Sequence, residues 1–162
     1  MRYGGKLIGI CGGFQMLGLT VDDPHGVEGA AGKTQAFGLL DMHTELMQEK
    51  RLSHVNGRCA FADAAVSGYE IHMGVSRSVG AGIPAFQIDG QAEGLRSVDD
   101  QVLGTYLHGI FDHPQACSAL LRWAGLRDAV AVDVAQLREQ SIDRIADAAL
   151  PLYRALQALG RR

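Results

Sequence analysis

The chain has 162 residues, of which 47% are hydrophobic and 20% charged, and its formal net charge is −3. This length and composition predict one soluble globular domain with a substantial core. The small negative charge gives no electrostatic reason to expect nucleic acid or an anionic membrane as a partner. No apolar run approaches the roughly 20 residues of a membrane span.

The cysteines and histidines indicate neither a disulfide framework nor a metal site. Cys11, Cys59 and Cys117 are odd in number and far apart, which favours a reducing compartment, and no CxxC pair or helical histidine pair is present. Residues 32–34, Gly-Lys-Thr, resemble the end of a phosphate loop, but Val27 stands where its first glycine is required. We therefore predict no metal and no cofactor in this chain. Without a signal peptide, a cytoplasmic location is the default expectation.

Residues 6–19, KLIGICGGFQMLGL, predict a buried strand, a sharp glycine turn and a helix. Gly12 and Gly13 remove the Cβ clashes that would prevent so abrupt a change of backbone direction after Cys11. Such a nucleophile elbow would expose the Cys11 thiol at a helix N-terminus, whose dipole favours the thiolate. It would also leave the Gly12 N–H free to stabilise an oxyanion. On this pattern alone, a small buried cysteine is an equally good interpretation.

The middle of the chain predicts a loop and then antiparallel strands. Residues 20–36 are rich in Gly, Asp and Pro and predict a loop or lid. Residues 37–46 predict a strand or a short helical turn. In residues 52–61, Asn56-Gly57 is the signal of a type I′ hairpin, so a small antiparallel element is expected beside the main sheet.

Residues 66–75 alternate as a half-buried strand does, with Tyr69, Ile71 and Met73 on one face and Glu70 and His72 on the other. The second face meets water in most strands, but it pairs an acid with a base. A further strand is predicted at residues 83–88, ending in the turn signal Asp-Gly, and a short edge piece at residues 91–98.

Residues 102–110 predict a central strand that ends at His108. Ligands bind at this edge of α/β sheets, so His108 could serve as the general base for Cys11. A helix is predicted to start at residues 112–114, where Asp112 or His113 can cap it, and to stop at Gly125. A linker at residues 127–134 leads to an amphipathic helical tail, which Pro151 should break or kink.

Three stretches together, GICGGFQMLG (9–18), GYEIHMG (68–74) and GTYLHGIFD (104–112), resemble the glutamine amidotransferase domain of cobyric acid synthases, which act in cobalamin biosynthesis. The first is similar to the Gly-x-Cys-x-Gly-x-Gln elbow of class I amidotransferases as a whole. The second narrows the resemblance to the cobyric and cobyrinic acid amidase branch. The implied fold is a flavodoxin-like α/β domain, with a mostly parallel sheet flanked by helices and a small antiparallel insertion.

The resemblance implies that Cys11 attacks the side-chain amide carbon of glutamine to form a γ-glutamyl thioester, with His108 as its base. Gly12, Gly13 and Gln15 match positions that line the glutamine pocket or the oxyanion hole.

One departure concerns the third member of the triad. The wider class has a glutamate two residues after the histidine, and Ile110 stands there in this chain, as expected of a branch that lacks the acid. We hypothesise that Glu70 or His72 helps to form the site or orients His108.

The resemblance also predicts the surroundings of the chain. Members of the family have an ATP-dependent synthetase domain and several glutaminase strands before the elbow. We therefore expect residues 1–162 to be the C-terminal part of an amidotransferase domain, with ATP and Mg bound by the upstream synthetase domain that takes the corrin substrate. Exposed apolar edges, self-association and little glutaminase activity from the chain alone are expected.

Three alternatives stay open. The first is the same domain in a cobyrinic acid a,c-diamide synthase or a related cell-wall amidating enzyme. The second is a cysteine hydrolase of similar fold. The third is a non-enzymatic interaction fragment.

Overall fold

A computed structural model describes residues 4–80, 82–128 and 132–159. These residues form one nine-stranded sheet and three helices. In chain order, the elements are β1 (Leu7–Ile10), α1 (Gly12–Leu17), β2 (Thr20–Asp23), β3 (Gly32–Gln35), β4 (Met42–Cys59), β5 (Ala65–Ser78), β6 (Ile83–Ile88), β7 (Gln91–Arg96), β8 (Val102–Thr105), β9 (Leu107–His108), α2 (Pro114–Trp123) and α3 (Val134–Leu159).

The sheet is mixed, and its strand order is β1-β8-β7-β6-β4-β2-β3, with β5 paired to β4 and β9. Among the described residues, β1 pairs in parallel with β8 and β2 with β4, while the other six pairs are antiparallel. The α/β class is confirmed. The antiparallel part is larger than the small insertion that we predicted, because short turns join β4 to β5 and β6 through β8 in succession.

Strand β1 confirms the predicted strand before the elbow. Its Ile8 lies opposite Leu103 of β8, which is fully buried. The larger core cluster continues from β8 to Leu107 and Ile110 and to Leu120 of α2, all almost fully buried. Each such side chain contributes roughly 1.5–3 kcal/mol through burial, so this cluster holds α2 against the sheet.

Helix α2 confirms the predicted helix after His108. Pro114 occupies its first turn, where a missing N–H costs nothing. The N-cap residue is His113, which makes no side-chain capping bond. At the other end, Trp123 Nε1 donates to Asp100 Oδ1 at 3.0 Å, so α2 is fastened to the β7–β8 turn.

One loop prediction and one predicted helix end are wrong. Residues 20–36 are not a lid, because β2 and β3 form an antiparallel hairpin there. Its connection is held by Asp23, whose carboxylate accepts from Val27 N at 2.8 Å and Glu28 N at 3.0 Å. Helix α1 also ends at Leu17 rather than Leu19, because Leu19 N donates to Met42 O of β4.

The predicted turn at Asn56-Gly57 is also wrong. Gly57 lies inside β4, opposite Val66 of β5 on one side and Ile88 of β6 on the other. The chain instead turns at residues 60–64. Strand β7 is not an edge piece, because it lies between β6 and β8.

Helix α3 confirms a helical tail but not a break at Pro151, which lies inside the helix. No residue of α3 is buried, and its apolar side chains, including Leu137, Ile145 and Leu156, are exposed. Within the predicted linker at residues 127–134, residues 129–131 lie outside the described part of the chain.

The close approach of β5 and β9 generates a test. A Cβ at Gly68 would collide with the His108 carbonyl and lie 2.9 Å from Leu107 Cδ1. We therefore expect Gly68→Ala to lower the free energy of unfolding by about 1–3 kcal/mol, as overpacking does. Urea denaturation would measure this loss.

Gly29→Ala is the matched control, because no atom lies within 4 Å of its added Cβ. Equal unfolding midpoints for the two variants would contradict the described contact between β5 and β9.

Candidate active site

Cys11 has the backbone conformation of a nucleophile elbow. It stands between β1 and α1 with φ 54° and ψ −115°, a combination that non-glycine residues rarely adopt. Holding a residue in such a conformation costs about 1–3 kcal/mol of free energy, and residues of this kind cluster at functional sites. The predicted elbow is therefore present, with Cys11 partly exposed at its apex.

The Cys11 thiol points at the strand that carries GYEIHMG. Its Sγ lies 3.6 Å from the Ile71 carbonyl oxygen of β5, within the distance of a weak hydrogen bond to sulfur. Ile71 stands between Glu70 and His72. The fold therefore brings the first two sequence motifs together.

His108 lies at the end of the short strand β9, which pairs with β5 so that Tyr69 is directly opposite His108. The two rings stack with centroids 5.1 Å apart and an interplanar angle of 8°. The Nε2 atom of His108 is buried and has no hydrogen-bond partner among the described residues.

Thr105 connects Cys11 to the strand end that carries His108. The backbone N–H of Cys11 donates to the Thr105 carbonyl at 2.9 Å, and Thr105 Oγ1 accepts from Leu107 N at 3.0 Å. Thr105 thus bonds Cys11 directly and also bonds Leu107, the residue before His108. Both Cys11 and His108 are also next to β5.

Glu70 and His72 do not meet water as most strand faces do. The Glu70 side chain is 4% exposed, and its Oε2 lies 2.5 Å from Arg51 Nε and 4.0 Å from His72 Nε2. The Arg51 contact is a charge pair without hydrogen-bond alignment, because Glu70 Oε2 makes no hydrogen bond within the described chain. The acid and base of GYEIHMG therefore face each other inside the protein.

His72 is held as a neutral ring. Burial lowers its pKa, and this outweighs the bond to the Gly74 carbonyl and the charge of Glu70. Its Nδ1 lies 2.7 Å from the Gly74 carbonyl and must donate to it, so Nε2 is the unprotonated nitrogen. The ring also stacks on Tyr106, with centroids 3.8 Å apart.

The remaining predicted residues divide into two groups. Gly12 and Gly13 are the first residues of α1, where the helix supplies no acceptor for their N–H groups. Gln15 is buried, and its amide lies against Gly74 of β5, where an added Cβ would be 2.3 Å from Gln15 Nε2. It therefore anchors α1 to neighbouring strands.

Sequence patterns missed Glu93, Tyr106 and Arg51. Glu93 accepts from Thr105 Oγ1 at 2.6 Å and from Tyr106 N at 2.7 Å. Burial raises the pKa of Glu93 to about 7, which outweighs the lowering by these two bonds. The stretch 91–98 carried no signal of this, because the partners of Glu93 are contributed by another strand.

A cavity of about 880 Å³ opens beside the elbow, between the β4–β5 hairpin and β7. Its lining includes Arg51, Glu70, His72, Glu93 and Tyr106. Cys11 and His108 lie next to these residues but are not part of the lining. The cavity is large enough for an amino-acid-sized ligand.

The described residues contain no cluster of three or more His, Cys, Asp or Glu side chains suited to a metal ion. Within the same ranges, no helix is long and apolar enough to cross a membrane.

Comparison with known protein families identifies the family of this chain. The family model for the CobB/CobQ-like glutamine amidotransferase domain matches residues 1–116, which contain all three motifs. A solved structure described as a crystal structure of glutamine amidotransferase is similar at 17% sequence identity and a TM-score of 0.48. That similarity covers 74% of this chain and 61% of the other, so this chain spans less than two thirds of the length of that protein.

The buried carboxyl of Glu93 predicts a pH-dependent stability. Because its pKa is raised from 4.5 to about 7, its stabilising contribution is complete below pH 4.5 and is lost as the pH rises to about 7. Relative to Glu93→Gln, which does not ionise, the wild type should lose stability over this window. One pKa unit corresponds to about 1.4 kcal/mol.

Urea denaturation of both proteins at pH 5 and pH 8 measures this difference. Glu139→Gln on the exposed helix α3 is the control for loss of a carboxylate. If the free energies of unfolding of the wild type and Glu93→Gln differed by the same amount at pH 5 and pH 8, the raised pKa of Glu93 would be contradicted.

Proposed function

Because the chain belongs to the CobB/CobQ-like glutamine amidotransferase domain family, we propose that it is the glutamine-hydrolysing part of a cobyric acid synthase. It releases ammonia for the ATP-dependent amidation of corrin-ring carboxylates. The synthetase domain that binds ATP, Mg and the corrin is its expected partner.

The observation that carries this proposal is the strained backbone of Cys11. Its positive φ aims the thiol at β5, the strand that also pairs with β9 at His108, and His108 Nε2 is buried and unpaired among the described residues. A merely structural cysteine gains nothing from such a conformation, whereas a nucleophile gains exposure and orientation.

In the proposed first half-reaction, His108 accepts the Cys11 thiol proton while sulfur attacks the side-chain amide carbon of glutamine. The N–H groups at the start of α1, from Gly12 and Gly13, stabilise the resulting oxyanion. His108 then returns the proton to the amide nitrogen, the C–N bond breaks, and ammonia leaves. The product is a γ-glutamyl thioester on Cys11.

In the second half-reaction, His108 removes a proton from water, whose oxygen attacks the thioester carbon. The C–S bond breaks, the proton passes to sulfur, and glutamate leaves. Without an acid two residues after it, His108 is oriented by packing instead. Stacking on Tyr69 and the pairing of β9 with β5 support this arrangement.

Glu70 and His72 are proposed to form part of the glutamine site. Both line the cavity beside the elbow, and the buried Glu70 carboxylate offers an anion next to it. Gln15 supports the site by packing against Gly74 of β5 rather than by lining the cavity. All three cysteines are free, as is usual in a reducing compartment, which supports the proposed cytoplasmic location.

Labelling by a glutamine-mimicking diazoketone tests the roles of Cys11 and His108. We expect mass spectrometry to locate the label on Cys11 and expect glutamine to protect it. Cys11→Ser should abolish labelling, and His108→Ala should slow it by about 10²–10⁴-fold, the usual contribution of general acid–base catalysis.

Cys117→Ser is the matched control and should label at the wild-type rate, because Cys117 lies on α2 outside the site. Labelling of Cys11 by peptide electrophiles alone would favour a cysteine hydrolase and overturn the proposal.

A second prediction concerns Glu70. Glu70→Gln removes the buried charge opposite Arg51 and should raise the glutamine concentration needed to protect Cys11 from the diazoketone. A loss of about 1.5–3 kcal/mol in binding, or at least tenfold, is expected for a charged hydrogen bond. Unchanged protection in Glu70→Gln would remove Glu70 from the site, and Glu45→Gln on the same sheet is the control.

A further inference from the structure

Glu93 is a partly buried acid whose carboxyl group lies where β8 ends and β9 begins. Its Oε2 accepts from Thr105 Oγ1 at 2.6 Å and its Oε1 accepts from Tyr106 N at 2.7 Å. It takes part in none of the ion pairs formed by the described residues. Even partial burial of a carboxylate without a cation is costly, so its retention needs a specific reason.

The Glu93 side chain takes the place of a backbone partner. The ladder between β7 and β8 ends at the pair Leu95 and Gly104. The next residue of β7, Gly94, has φ +67°, and a Cβ there would lie 2.5 Å from the Gly104 carbonyl oxygen. Past the end of this ladder, Tyr106 N donates to the Glu93 carboxylate instead of to a backbone carbonyl of β7. The chain can therefore leave β7 and pair with β5 as β9.

This bend reaches both reactive residues through Thr105, which is completely buried. The Thr105 carbonyl accepts from Cys11 N at 2.9 Å. Its hydroxyl donates to Glu93 and accepts from Leu107 N, the residue before His108. A change in the Glu93 carboxylate is therefore transmitted by one residue, to the elbow through the Thr105 carbonyl and toward the base through the Thr105 hydroxyl.

We propose that Glu93 is a positioning residue that sets the geometry of Cys11 and His108 through Thr105 and the backbone of residues 106–107. It acts without touching the imidazole, in a chain where Ile110 replaces the acid that orients the histidine in related enzymes. The catalytic consequence rests on the proposed glutaminase function.

The ionisation of Glu93 reverses one hydrogen bond. The carboxylate accepts the Thr105 hydroxyl proton, whereas the neutral acid must donate its own proton to Thr105 Oγ1. The charged groups that act on Glu93 are Glu70, which opposes its ionisation, and Arg51, which favours it. Glu93→Gln imitates the neutral acid at every pH, because its amide can donate to Thr105 and accept from Tyr106 N.

The experiment compares the wild type, Glu93→Gln, Thr105→Val and the control Glu139→Gln. Two readouts are used, the rate of Cys11 labelling by the diazoketone between pH 6 and 8.5, and the ¹⁵N signals of the His108 ring by NMR. We expect Glu93→Gln to slow labelling at pH 8 by about tenfold to 100-fold, the cost of a misplaced reactive group. The rise of the wild-type rate across pH 7 should weaken, and the His108 signals should shift.

Thr105→Val removes the connecting hydroxyl while keeping the side-chain shape, so it should reproduce both changes even if Glu93→Gln folds poorly. Wild-type labelling rates, pH profile and His108 signals in both variants would overturn the inference. Absence of labelling in the wild type would instead contradict the proposed function, and the His108 signals would still decide whether Glu93 positions that ring.

Discussion

The hydrogen bond from Cys11 N to the Thr105 carbonyl is the constraint on which the site depends. It closes the parallel pair of β1 and β8 at the residue where both strands end. Immediately after this bond, the segment that follows β1 bends into the elbow, and the segment that follows β8 bends toward β5. Both departures leave the regular ladder at the same place, so the segments that carry Cys11 and His108 both come to lie against β5.

Strand β5 completes the arrangement because it contacts both the elbow and β9. The carbonyl of Ile71 meets the Cys11 thiol, and Tyr69 covers the face of His108. The absence of a Cβ at Gly68 allows β9 to approach this strand closely. In place of a carboxylate behind the histidine, the site uses backbone pairing and ring stacking, which restrict the imidazole without adding a charge next to it.

Charges are nevertheless concentrated around the cavity. Glu70 is buried against Arg51, His72 is kept neutral by burial, and Glu93 lies within range of both charged groups. Burial and the nearby charge of Glu70 both raise the cost of ionising Glu93. A single arginine that is 62% exposed offsets part of this cost, so occupation of the cavity by a ligand would alter the balance.

The sequence by itself determined the elbow, the strand ending near His108, helix α2 and the motifs that define the family, because each of these depends on residues close in the chain. Glycines after Cys11 permit the turn, and apolar runs form buried strands. The strand order, the long β4 and the β2–β3 hairpin were decided only by the tertiary structure. Asn56-Gly57 shows why: a local turn signal was overridden when β5 and β6 paired on either side of Gly57. Glu93 is hidden in sequence for the same reason, since its role comes from Thr105 and Tyr106 on another strand, and only the packed sheet brings those hydrogen-bonding groups to its carboxylate.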